Sequence, residues 1–389
     1  MNELYGQTCS CCHAHEPRNE ATVSSLFTPE LMARLLADIF ARKFNVEDEI
    51  YPELYEAARD TFERALEEGY PMEETEDADR LFHEALKNDA DVFAAFRTHR
   101  MQNDIASQLL DEDGRLKEFR RFQEDAESVI GTYNNHWLRT EYDTAVLRAR
   151  YAADWKRFSR NADILPNLKW MPTTSADPDV FHREYWRIGL TLPKTHPFWK
   201  NHHPHDRWGC KCDLEETDDP VTGIIPEVDY RPSPGLENNP GLEPELFSHT
   251  HPYYEKAYPG AEKAVMRLRR KEIQQEAEKF LEVQLTNEDF GKTVSLTRKG
   301  IKEWTNQPHM HYMEKNEMLL RIDKVLKSSR YMGSGPDEHN ASIIMHLFET
   351  EIEGDKTWII VREMSDGTVR LHSISDSRKI LEFIKKRNG

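Results

Sequence analysis

From Thr28 onward, apolar residues recur at helical spacing: Leu31, Met32, Leu35, Leu36, Ile39 and Phe40. Thr28 is a good N-cap and Pro29 suits the first helical position. The same periodicity predicts helices over Pro52 to Glu68, Asp77 to Lys87 and Asp91 to Leu110. A long helix or broken pair should then run from Leu116 to about Phe158, after a turn at Asp113-Gly114. The region 28–160 therefore reads as all-helical. After Asn161 the period changes to short runs rich in Trp, Pro and Thr, which predict a small β-containing module over 161–216. Its candidate strands are Leu168 to Thr173 and Trp208 to Glu215.

Prolines then come thickly at Pro220, Pro226, Pro232, Pro234, Pro240, Pro244 and Pro252. Proline removes backbone donors and blocks helix, so this is a linker or an extended strap. A charged connector helix, Ala261 to about Glu282, completes the stretch 217–282. In the last stretch, 283–389, a short strand over Thr293 to Thr297 leads into Lys299 to Trp304. A polar loop to His311 and a helix from about Glu314 to Ser329 come next. Three strand-like runs, Ser342 to Glu351, Lys356 to Glu363 and Thr368 to Ile374, are separated by turn signals at Glu353-Gly354-Asp355 and Asp366-Gly367. They predict an antiparallel meander covered by a helix from Ser377 to Lys386. The fold class is multidomain α+β, helix-rich first and sheet-containing last.

With 389 residues the chain can bury several separate cores. Charge divides it further: residues from Val283 onward carry a net +1 and the first 282 a net −19. An acidic body repels a polyanion at long range, which argues against general nucleic-acid binding by the first part but not by the last. No apolar run approaches the roughly 20 residues needed to span a bilayer, and no secretory leader is read, so a cytoplasmic product is expected.

The cysteines change the picture most. Their odd number and grouping, Cys9, Cys11 and Cys12 against Cys210 and Cys212, argue against a disulfide scaffold. Segment 1–27 begins with a Cys/His-rich stretch, Cys9 to His15, whose ligands are too crowded for a closed tetrahedral knuckle. It reads as a polar tail, or as a site alone or completed by Cys210 and Cys212. The second cluster runs through His202, His203, His205, Trp208, Cys210 and Cys212. Two readings stand: a structural zinc held by Cys210 and Cys212 with two of His182, His202, His203 and His205, or a buried thiol pair among surface histidines.

The run Leu168-Lys169-Trp170, then Asp177, His182, Gly189, His196-Pro197-Phe198-Trp199, Pro204 and Trp208-Gly209-Cys210-Lys211-Cys212 resembles the Mu F-like family of phage minor head proteins. Upstream, Trp137, Thr140-Glu141-Tyr142 and Thr144-Ala145 resemble that family's helical T-E segment. Two departures stand out: Gly-Cys-Lys-Cys replaces the common N-C-R-C, and the Asp-Arg pair before the His is missing. The resemblance implies a prophage capsid-assembly function. It also implies portal and capsid proteins as partners, with the chain in host cytoplasm during assembly and in the virion head afterwards.

The order of elements after Val283, with Gln307-Pro308-His309 early and His346 on the first meander strand, resembles the barnase, EndoU, colicin and RelE-like nucleases. That resemblance implies metal-independent RNA cleavage by an acid/base pair and a cation at the phosphate, and a cognate immunity protein as a further partner. His309 and His346 are the candidate pair, with Lys315, Arg330 and Arg362 for the phosphate. Ser375 is a lesser candidate beside His311, Ser373 and Asp376. Two alternatives remain: a non-catalytic docking module at this end, and a metal-dependent nuclease centred on His202 to Cys212.

Overall fold

The computed structural model describes Tyr5 and residues 27–173, 180–229, 231–337 and 340–382. The chain divides into two compact units, Met1–Val265 and Met266–Gly389.

The first unit is built on helices α1 (Pro29–Phe40), α2 (Pro52–Gly69), α3 (Arg80–Ala106), α4 (Phe119–Gly131) and α5 (Leu138–Arg160). Thr28 caps α1, its hydroxyl accepting from Leu31 N. Two of the expected helices are one: α3 runs unbroken through Asn88-Asp89-Ala90-Asp91. Those polar positions are not a break, because Asp89 Oδ2 accepts hydrogen bonds from Leu246 N and Phe247 N. The expected long helix is α4 and α5 joined by a π-helical stretch, Thr132–Trp137. Tyr133 O in that stretch accepts from Arg97 instead of serving the helix alone.

Two buried arginines organise this unit. Arg97 on α3 donates from Nε to Glu141 on α5 at 2.7 Å, and Tyr5 and Tyr253 donate to the same carboxylate. Arg148, one turn pair further along α5, donates to Leu246 O, His205 O, Leu236 O, and both Asn238 O and Oδ1. The proline-rich segment is thus a docked strap, with Leu236, Leu246, Phe247 and Tyr253 buried. Beside it lies a small antiparallel sheet of order β2-β1-β3, formed by β1 (Asn167–Met171), β2 (Thr191–Pro193) and β3 (Asp213–Thr217). The strand expected from Trp208 begins only at Asp213, since Gly209, at φ 75, turns the chain first.

Helix α7 (Ala261–Glu276) straddles the boundary between the units. The second unit is a mixed sheet of order β4-β5-β9-β8-β7-β6 among the described residues. The expected meander is present as β7 (Ile344–Ile352), β8 (Asp355–Glu363) and β9 (Val369–Ser375). Sequence missed β6 (Arg330–Pro336) at one edge, whose Gly333, Gly335 and Pro336 mimic a loop, and the short β4 (Gln284–Leu285) at the other, while β5 (Val294–Ser295) falls inside the strand expected over Thr293 to Thr297. Strand β5 pairs with β9 in parallel.

Helices α8 (Arg298–Asn306), α9 (Tyr312–Glu317) and α10 (Ile322–Ser328), with the 3-10 turn Met318–Arg321 between the last two, supply Ile301, Trp304, Leu319 and Ile322 to a core with Phe348, Ile359, Val361 and Leu371. Each such burial contributes roughly 1.5–3 kcal/mol. Helix α8 lies directly on β9: a Cβ at Gly300 would stand 2.5 Å from Leu371 O, so only glycine fits. The other sheet face carries Leu347, Trp358 and Ile360. Of the expected closing helix, one 3-10 turn, Arg378–Leu381, falls within the described residues.

Candidate metal centre

The sheet β2-β1-β3 exists to hold an aromatic block. Leu168 and Trp170 of β1 are fully buried, and Trp170 packs against Trp199, Tyr185 and His182 at ring separations of 6.0, 5.0 and 5.0 Å. Helix α6 (Val180–Arg187) lies over this block and presents His182 inward. From the other side the chain turns through His205, at φ 68, and Gly209, and this turn delivers Cys210 and Cys212 just before β3 begins. His205 Nδ1 lies 2.9 Å from Cys210 O, and Thr173 donates to Lys211 O, so the turn is fixed at both ends.

The result is a buried His/Cys/Cys group able to hold a metal ion, with ligand atoms of His182, Cys210 and Cys212 all within 4.8 Å of one another. His182 Nδ1 faces Cys210 Sγ at 3.2 Å, while its Nε2 lies 3.0 Å from Asp206 Oδ1. Asp206 is itself fully buried. A carboxylate behind the outer nitrogen of an imidazole fixes the tautomer that leaves the inner nitrogen free to ligate. Burial pushes the Cys210 thiol up to about 11, with Cys212 adding to the effect. Both thiols are free of disulfides.

Of the other expected ligands, His203 stacks on Tyr151, and its ring nitrogens face Pro204 O at 2.7 Å and Asn238 O at 3.0 Å. His205 serves the backbone of Cys210 instead. Neither belongs to the ligand group. Cys9, Cys11 and Cys12 lie outside the described residues.

The nuclease candidates of the second unit are not gathered at one point. His309 Nε2 bonds Thr357 Oγ1 at 3.0 Å, and its Nδ1 accepts from His311 N. Its pKa is lowered, chiefly by burial. His346 is buried, with Tyr331 OH at 3.0 Å from Nδ1 and Glu363 Oε2 at 2.9 Å from Nε2. Its strand partner Val361 lies four residues along β8 from Thr357, so the two imidazoles are separated by roughly 13 Å.

Lys315 is fully buried, and its Nζ donates to Trp304 O and Gln307 O, closing the end of α8. Burial and the nearby Arg270 push its pKa down to about 7. Arg330 is paired with Glu349 and Arg362 with Asp337. The Oγ of Ser375 accepts from Ser377 N, and its carbonyl accepts from Thr357. His309, Lys315, Ser375 and Asp376 do share one end of the sheet, where Asp376 accepts from Met310 N.

Sequence reasoning missed Arg148 and the partners of His346. Arg148 carried a signal, for it sits among Ala145, Ala149 and Ala152 on one helix face, and a charge inside an apolar stripe must be paired. Tyr331, Glu363 and Lys292, whose ammonium lies 2.6 Å from Glu363, carried none, since only the sheet register joins them.

A family profile described as large polyvalent protein-associated domain 3 matches residues 264–373. The match falls almost wholly within the second unit, which is thus similar to a domain associated with large polyvalent proteins. No curated protein and no solved structure gives a significant match. Among the described residues no helix is long and apolar enough to cross a membrane.

Proposed function

We propose that this chain is a phage or prophage assembly protein of Mu F-like kind. In this reading the acidic first unit is stapled by a structural zinc ion at His182, Cys210 and Cys212. The second unit is a docking module that performs no catalysis. The observation carrying the proposal is the buried His/Cys/Cys group with Asp206 behind His182.

The donor types fit zinc, with three of the four positions of a tetrahedral site supplied by the described residues. Tetrahedral zinc with ordinary Zn–S and Zn–N bonds separates a sulfur from a nitrogen by roughly 3.5 Å, close to the 3.2 Å between Cys210 Sγ and His182 Nδ1. Zinc would give the thiols a reason to lose their protons and would crosslink α6 to the turn before β3, in a module whose own core is small. A structural role is supported by the depth of the group and by the loop geometry that fixes it. The assembly role is supported by the Mu F-like residues and by the phage-associated domain at 264–373.

The docking reading of the second unit is supported by what its histidines and cations do. The ring nitrogens of His309 and His346 have partners within the fold, and Arg330 and Arg362 have carboxylates. Purified chain should carry stoichiometric zinc, and the Cys210→Ser, Cys212→Ser variant should carry none. Co-expression with the portal protein of the same phage should yield a complex. Metal-free chain of unchanged stability, or no portal complex, would refute the corresponding half.

A further inference from the structure

Outside the metal centre, α6, the short helical turn Phe198–Asn201 and the strap border an open surface pocket of about 460 Å³. It is lined by Tyr185, Phe198, His202 and the strap residues 225–229. Sites of roughly 300–1,000 Å³ hold small ligands or single large side chains. Three rings form its inner wall at different inclinations. Tyr185 meets Phe198 at 5.3 Å and 84°, Phe198 meets His202 at 5.0 Å and 35°, and Tyr185 meets His202 at 6.4 Å and 49°. Ile225, Pro226 and Val228 complete an apolar flank, and Glu227 and Asp229 are exposed at the mouth.

Neither carboxylate has an ion pair with another described residue, whereas three basic residues on flanking elements are already engaged. Arg187 is paired with Glu184, Lys200 with Glu243, and Arg207 lies over the Phe181 ring. Aromatic faces attract a cation through the ring quadrupole, an apolar flank accommodates an alkyl stem, and carboxylates complete the charge. Of the natural cations, a planar guanidinium suits this combination best, because it stacks on rings and meets carboxylates in a fork.

We propose that this pocket is a cation cage for an arginine side chain presented by a partner protein. The proposal goes beyond the assembly reading and stands without it, since the cage requires neither zinc nor a portal. The partner's recognised segment exposes an arginine on a surface that tolerates the acidic first unit, whose excess negative charge would draw a basic segment toward it.

The test uses the full chain and three probes: acetyl-Gly-Arg-Gly-amide, the same peptide with neutral citrulline in place of arginine, and spermidine. Binding is read by calorimetry and by saturation-transfer NMR. The arginine peptide should bind in the millimolar range or tighter, with the citrulline peptide about tenfold weaker. The double variant Glu227→Gln, Asp229→Asn, which changes only exposed groups, should lose that discrimination while its thermal melt stays unchanged. Equal binding of the two peptides, undiminished discrimination by the double variant, or no binding at millimolar peptide would overturn the cage. Spermidine binding tighter than the arginine peptide would overturn the protein-partner assignment in favour of a free polyamine.

Discussion

Asp206 Oδ1 stands 3.0 Å from His182 Nε2, on the side of the ring opposite Cys210 Sγ. This arrangement sets Nε2 against the carboxylate and leaves Nδ1 facing the thiol, so Asp206 should control affinity without being a ligand. Asp206→Asn is expected to weaken zinc binding by roughly 10–100-fold. Competition against a chromophoric chelator would measure it. Asp206 Oδ2 also accepts from His203 N at 3.4 Å, and an affinity equal to that of the parent protein would mean that the carboxylate serves that backbone group only.

Arg148 uses all of its donors on the strap and on the turn before Cys210. Replacing it by methionine keeps much of the volume but leaves the carbonyls of Leu246, His205, Leu236 and Asn238 without their donor. The loss should exceed about 3 kcal/mol, as when one side of a buried charged network is removed. Urea unfolding of the full chain would show it. Limited proteolysis should also cut the strap of the variant between Asn238 and Glu245, where the parent resists.

Arg148 also shows where the sequence stopped being legible. Helices, the Cys/His cluster and the meander could be read because each follows from local periodicity or from residue types that rarely crowd together. The ligand set could not be reduced to its members, because His203 and His205 look as capable as His182 until the fold sets them against the carbonyl oxygens of Pro204, Asn238 and Cys210. In the second unit the expected pairing of His309 with His346 failed for a related reason. Both histidines lie beside β8, but strand register, which no local pattern reveals, sets them at Thr357 and Val361.

His251 supplies a pH dependence. Its Nδ1 accepts from Tyr253 N, and its Nε2 lies 2.9 Å from the oxygen of Tyr5, whose hydroxyl donates to Glu141. Burial first, then repulsion from positive groups including Arg97, holds its pKa well below the usual imidazole value. A histidine with a depressed folded pKa contributes stability that is fully present above its unfolded pKa of about 6.5 and is lost as pH falls below it. The slope from this residue is up to about 1.4 kcal/mol per pH unit. In His251→Gln that component vanishes, so the stability gap between parent and variant should narrow as pH is lowered from about 7 to about 5. A gap that stays constant over this range would show that His251 titrates alike in the folded and unfolded chain.

The sharpest separation between a docking module and a ribonuclease comes from His346. If it exchanged protons with RNA, His346→Ala would abolish cleavage while leaving the fold nearly intact. The surroundings of the ring argue the reverse. It is buried beside Phe290 at 4.6 Å, takes Tyr331 OH on one nitrogen and Glu363 on the other, and Glu363 is held in turn by Lys292. Removing the imidazole leaves a half-buried hydroxyl and a half-buried carboxylate short of a partner, a loss of about 1–3 kcal/mol. The full chain incubated with labelled RNA in EDTA should therefore produce no cleavage above buffer, and His346→Ala should unfold at lower urea concentration. Cleavage by the parent chain that disappears in a variant of undiminished stability would return the residue to a catalytic role, with Tyr331 and Glu363 as the groups that orient it.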